Sequence, residues 1–125
     1  MMNRYEPGGE KTMKYMLFIC ADPDVKLTPE QQTEAWKGTE SWVKEMDGRG
    51  VRLQGDRLRP VSDATTVRAR NKEVLIADGP FAETKEQIAG YDILECADLD
   101  EAIEVASKHP VAKFGVIEVR PFWPF

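Results

Sequence analysis

The sequence predicts a two-layer α+β domain, with elements in the order strand, helix, strand, strand, helix, strand and a β-hairpin inserted before the third strand. Three observations carry this. Two segments, beginning Thr28-Pro29-Glu30-Gln31 and Asp98-Leu99-Asp100-Glu101, open with helix-capping residues and continue with apolar residues at helical spacing. Short runs rich in β-formers flank both segments. Crossovers of the usual right hand then put both helices on one face of an antiparallel four-stranded sheet.

The first strand is expected over 14–21. Tyr15, Leu17 and Ile19 alternate with Met16, Phe18 and Cys20, so both faces are apolar and both need cover. In the first helix Thr28 is the cap, Pro29 suits the first position and Gln31 can close a capping box. Ala35, Trp36, Thr39, Val43 and Met46 form its expected packed face, and Gly48 and Gly50 end it. A short strand over 51–54 leads into a polar connection containing Pro60. Residues 65–70 and 73–78 form the hairpin, turning at Asn71-Lys72. A strand over 90–96 precedes the second helix, whose face is expected to be Leu99, Ala102, Ile103 and Ala106. His109 ends that helix, and Pro110 stops its continuation. The last strand covers 115–120, and an aromatic tail follows to Phe125.

The helices cover only one face of such a sheet, and no further element remains for the other. Pairing two sheets face to face would bury both, which is the physical argument for a homodimer.

The chain has 125 residues, 42% of them hydrophobic and 31% charged, which suits one soluble domain with a proper core. The longest apolar run, 16–21, is too short to cross a bilayer. Residues 1–12 are polar, contain Pro7, Gly8 and Gly9, and lack the apolar stretch of a secretory signal. They read as an extension ahead of a single domain over 13–125. Cys20 and Cys96 could form one disulfide, but both sit in predicted strands among apolar neighbours, which favours buried free thiols of a reducing cytoplasm. A net charge of −5, with basic residues scattered, argues against a nucleic-acid surface.

The most distinctive stretch is Asp78-Gly79-Pro80-Phe81-Ala82-Glu83-Thr84-Lys85-Glu86. With Ala89-Gly90-Tyr91-Asp92, Asp98-Leu99-Asp100-Glu101-Ala102 and Gly115-Val116-Ile117-Glu118-Val119-Arg120-Pro121, it resembles the DGPF branch of the YCII-like family. The resemblance covers nearly everything from Met13 to Pro121. It implies a ferredoxin-like βαββαβ protomer, here with the β-hairpin insertion, forming a dimeric α+β barrel. It does not imply a reaction. The family's fold also hosts small monooxygenases and isomerases, and its association with sigma factors implies a rival role as a regulatory or protein-binding module accessory to transcription.

Two readings stand for Asp78: a cap that accepts backbone N–H groups of a rigid turn, or a general base or binding carboxylate in a cleft. Glu83 and Lys85 are either solvated surface or the rim of a site for a small polar metabolite, with Lys85 as anion anchor. Arg68 shares a strand face with Arg70 and either pairs with those carboxylates or contacts a substrate carboxylate. His109 is either a helix C-terminal cation favoured by the dipole or an acid working with Asp78. Glu95 and Glu118 are expected on the open sheet face, with Arg120 as the natural partner of Glu118. A single histidine and the absence of P-loop, Rossmann, nucleophile-elbow and C-x-x-C patterns leave no metal or cofactor expected.

Overall fold

The structure is a computed structural model and describes residues 11–124. Most of the expected extension over 1–12, and the terminal Phe125, lie outside the described residues. The fold is ferredoxin-like α+β. Strand β1 (Met13–Ala21) lies inside a four-stranded antiparallel sheet of order β2-β5-β1-β6, where β2 is Arg52–Arg57, β5 is Gln87–Cys96 and β6 is Val116–Pro121. Between β2 and β5, strands β3 (Thr65–Arg70) and β4 (Glu73–Asp78) form a separate two-stranded sheet. This is the expected hairpin. Its turn residues Asn71 and Lys72 have φ of 51° and 67°, the left-handed pair of the turn that matches strand twist.

Alternation along β1 sets the two sides of the sheet. Tyr15, Leu17 and Ile19 are buried in the core, while Met16, Phe18 and Cys20 are half-buried on the opposite face. Helix α1 (Pro29–Gly48) begins with the capping box anticipated from its sequence: the Gln31 N–H donates to Thr28 Oγ1 at 3.1 Å and the Thr28 N–H to Gln31 Oε1 at 2.9 Å. Helix α2 (Leu99–Ser107) is capped by Asp98, which accepts from the Glu101 N–H at 2.9 Å.

The packed faces include Val43, Met46, Ala102 and Ala106 as expected, and differ from expectation at Trp36, Leu99 and Ile103. In α1 the buried residues are Trp42 and Met46, while Trp36 is 48% exposed and carries the Arg57 guanidinium 4.4 Å above its ring. In α2 Val105 is buried with Ala102 and Ala106, whereas Leu99 and Ile103 stand about half exposed. Trp42 Nε1 donates to the Val105 carbonyl at 2.9 Å, which satisfies the buried indole and ties α1 to α2 at this point.

Strand β2 runs longer than predicted, and its pairing with β5 contains a bulge between Arg52 and Gln54. Past the bulge Gly55 lies opposite Asp92 on the helix-covered side. Asp92 is 6% exposed and accepts from Arg52 Nε at 2.8 Å. The same guanidinium donates to Asp47 Oδ1 and to the Gly55 carbonyl, both at 3.1 Å, so one side chain joins α1, β2 and β5. Burial raises the Asp92 carboxyl above its ordinary value, and the bond to Arg52 opposes that rise.

A Cβ at Gly55 would stand 2.0 Å from Asp92 Oδ1 and 2.6 Å from the Tyr91 carbonyl oxygen, one of them backbone. Gly55→Ala is therefore expected to cost on the order of 1–3 kcal/mol in urea unfolding followed by far-UV circular dichroism. Gly48→Ala meets nothing within 4 Å and sits at a helical position, so it should be neutral or gain up to about 1 kcal/mol. Equal effects at the two glycines would refute the close approach as the reason for Gly55.

Candidate functional site

The hairpin register sorts its side chains. Thr65 lies opposite Asp78, Val67 opposite Ile76 and Ala69 opposite Val74, so these six share one face. Arg68 opposite Leu75 and Arg70 opposite Glu73 occupy the other. Asp78 and Arg68 therefore project to opposite sides of the hairpin. Arg68 and Arg70 share a face, as expected.

Beyond β4 the chain turns at Gly79, whose φ of +92° is in the left-handed region that suits glycine. The Gly79 N–H donates to the Ala64 carbonyl at 2.7 Å, and the Gly79 carbonyl accepts from the Thr66 hydroxyl at 2.8 Å. Both backbone groups of the glycine are thus occupied, fixing the turn against residue 64 and the foot of β3. The Asp78 side chain takes no part in this. It is exposed and has no hydrogen bond or ion pair with another described residue, so the capping role is filled by Thr66 and the Gly79 backbone instead.

Beside this turn lies an open depression of about 520 Å³, with Leu58, Arg59, Pro60, Val61 and Ile88 on its walls. Ala64, the residue holding Gly79, also lines it. A short 3-10 turn (Val61–Asp63) shapes one wall, and the Leu58 N–H donates to the Ala89 carbonyl at 2.8 Å, stitching the connection to β5. On the rim Arg59 Nε donates to Asp63 Oδ2 at 3.1 Å, an exposed pair of little energetic weight. Ile88 pairs with Cys20 across the sheet, so the depression runs into the sheet face that the helices leave open. Pro60 was the one sequence signal within this wall. Nothing in local pattern shows that residues 58–64 and Ile88 meet.

Glu83 and Lys85 lie exposed in the segment between β4 and β5, without an ion pair among the described residues. In the same segment the Thr84 hydroxyl donates to the Glu86 carbonyl at 2.5 Å. On the open sheet face Arg120 Nε donates to Glu118 Oε2 at 2.8 Å, and the guanidinium lies 5.1 Å from the Phe18 ring centre. That is the anticipated Glu118–Arg120 pair. Glu95 accepts from the Thr12 hydroxyl at 3.0 Å. Both cysteines are free, and burial pushes the Cys20 thiol up and the Cys96 thiol to about 12. Such thiols are poor nucleophiles.

His109 occupies a different layer. It does not end α2, which stops at Ser107 with Lys108 as its cap, so the helix-dipole reading is corrected. Instead it opens a 3-10 turn (Pro110–Lys113), with Nδ1 accepting from the Val111 N–H at 3.1 Å. Its ring meets Trp42 edge to face, centroids 4.7 Å apart. At 4% exposure, burial lowers its pKa to about 4, and the ring is neutral. Asp78, Glu83 and Lys85 belong to the hairpin and the segment after it, while His109 belongs to the helix layer.

Among the described residues no group of three or more His, Cys, Asp or Glu is placed to hold a metal ion. No helix among them is long and apolar enough to cross a membrane.

His109 makes the fold sensitive to acid. Its folded pKa lies below the unfolded value of 6.5, so between pH 6.5 and about 4 the unfolded chain binds a proton that the folded chain refuses. Its contribution is complete above pH 6.5 and is lost as pH falls toward 4, by about 3 kcal/mol in all. Urea unfolding across this range should show that slope in the wild type, and His109→Gln should flatten it. An unchanged slope in the variant would remove His109 as its source.

Residues 13–125 match the YCII-related domain. An uncharacterized protein of Rhizobium meliloti (strain 1021) is 38% identical over 100 aligned positions, which take in 66% of this chain and 81% of the relative. By its matched span, the chain belongs to the YCII-related domain family.

Proposed function

We propose that this YCII-related protein, of the DGPF branch, binds a small polar metabolite in the depression beside the Asp78–Gly79 turn, with Asp78 as the carboxylate that engages it. The observation that carries this reading is the division of labour at the turn. Gly79 is tied down by both its backbone groups, while the neighbouring carboxylate is exposed and has no internal partner. A carboxylate on a fixed backbone, with no structural use, beside a partly apolar hollow, is equipped to orient a ligand or accept a proton from it.

Lys85 and Glu83 supply polar groups in the adjoining exposed segment, and Arg59 supplies a cation on the wall. Arg68 stands on the opposite face of the hairpin and has no part in this reading, nor does the buried His109. Any chemistry is then acid–base chemistry at Asp78 without a cofactor. The protein works as a homodimer with open sheet faces together, a reading supported by Met16, Phe18, Tyr91 and Ile93 standing half-buried on the uncovered side. The free, unreactive thiols suit a cytoplasmic setting. A second reading, a non-catalytic module that binds a regulatory protein, is favoured by Phe81, which is 82% exposed directly beside the turn.

The test is a thermal-shift screen of small metabolites on wild type and Asp78→Asn in parallel. Because Asp78 has no internal partner, the variant should melt within about 0.5 kcal/mol of wild type. A ligand at a hundred times its Kd should stabilise wild type by about 2.7 kcal/mol, several degrees for a domain of this size, and leave the variant unmoved. A variant that melts much lower, with no compound stabilising wild type, would make Asp78 a turn residue and send the search to protein partners.

A further inference from the structure

The β3–β4 hairpin is an arm whose apolar side has no cover among the described residues. Val67 is 63% exposed, Val74 66% and Ile76 68%, and all three share one face with Ala69. The opposite face carries Arg68, Arg70, Glu73 and Thr66 beside Leu75 and Ala77, and Leu75 is less exposed, at 46%. The arm thus has one face dominated by charges and one on which valine and isoleucine dominate, the pattern of a sheet that packs on something. No hydrogen-bonded strand of the main sheet flanks it, and the hydrogen bonds at Gly79 close its base against Ala64 and Thr66. A two-stranded sheet of this length is marginal alone, and an uncovered apolar ribbon invites aggregation.

We infer that this apolar arm face, Val67, Val74 and Ile76, docks on a second copy of this chain. The inference rests on the homodimer reading above and specifies it. Area argues for a second copy. The arm leaves on the order of 300–400 Å² of apolar surface, about half of the roughly 800 Å² per partner that a stable interface buries. The uncovered sheet face supplies the remainder, with Met16, Phe18, Tyr91 and Ile93 half-buried there and Val116 and Ile88 more exposed.

Continuity argues the same way. Ile88 belongs to the sheet face and lines the depression, Ala64 lines the depression and holds Gly79, and Asp78 stands on the arm's apolar face. Sheet face, hollow and the base of the arm therefore adjoin one another. Twofold symmetry lets each chain offer both arm and sheet face, so one geometry covers both features in both copies. A docked arm brings Asp78 to the seam, and the second copy roofs the depression, so the ligand site is completed by two chains.

The experiment is sedimentation velocity of the full chain over a range of concentrations, with far-UV circular dichroism to check the fold. Wild type is compared with Val74→Lys/Ile76→Lys on the arm and Ile93→Lys on the sheet face. The arm residues are already exposed in the protomer, so the double variant should keep its strands. The expected result is a dimeric wild type and an arm variant that dimerises roughly a hundredfold more weakly or not at all, each substitution counting twice by symmetry. A photo-crosslinker at Ile76 should also join peptides of two copies, read by mass spectrometry of a mixture of light and heavy-isotope chains. If Ile93→Lys dissociates the dimer while the arm variant assembles like wild type, the arm inference falls and the paired sheet faces stand. A wild type that is monomeric at every concentration overturns both.

Discussion

Strand β1 is apolar on both faces, yet the described residues supply helices for only one of them. Most of the structure follows from that asymmetry. On the covered side Leu17 and Leu94 lie fully buried against Met46, Ala102 and Val105, and three polar side chains that enter this layer each have a partner. Trp42 gives its indole N–H to α2, His109 uses Nδ1 to hold a turn, and Asp92 receives Arg52. On the uncovered side the polar groups pair in another way. Glu118 and Arg120 meet beside Phe18 at the surface, where water can share the load.

The Arg52–Asp92 pair shows how strict the covered side is. Replacing one partner of a buried ion pair leaves a charge without compensation, a larger loss than the pair's own net contribution. Here the arginine also reaches Asp47 and the Gly55 carbonyl, so the edge strand β2, the end of α1 and the inner strand β5 depend on one planar group with several donors. Gly55 is the steric condition for this. With any side chain there, Asp92 could not lie where Arg52 meets it.

Much of the fold was legible because its signals are local. The Thr28–Gln31 capping box, the Asp98 cap, the Asn71-Lys72 turn and the alternation of β1 need only neighbouring residues, and each formed as read. The misreadings concern tertiary contacts. Trp36 and Trp42 both suit a helix face by spacing, and the contact with Val105 on a distant helix selects Trp42. His109 looked like a helix terminus because Pro110 follows it, but the helix ends two residues earlier and the histidine caps the next turn. The partnership of Arg52 with Asp92 spans forty positions and depends on a bulge that no periodicity reveals. The candidate site divides in the same way. Asp78 was marked by its motif, whereas the walls of the depression are assembled from segments that only the fold brings together.

That division also explains why the Asp-Gly-Pro-Phe run is distinctive. If its work were structural alone, Gly79 and Pro80 would be enough, since the left-handed turn, the fixed φ of proline and the bonds to Ala64 and Thr66 hold the arm without any acidic side chain. If its work were chemical alone, the carboxylate would not need so fixed a backbone. On the proposed reading the run has both parts. Gly79 sets where the arm leaves the body, and strand register then sets Asp78 on the arm's apolar face rather than among Arg68 and Arg70. A carboxylate set beside valine and isoleucine, away from the neighbouring cations, gains strength as an acceptor once that face is closed to water. The position of the arm therefore governs what Asp78 can do.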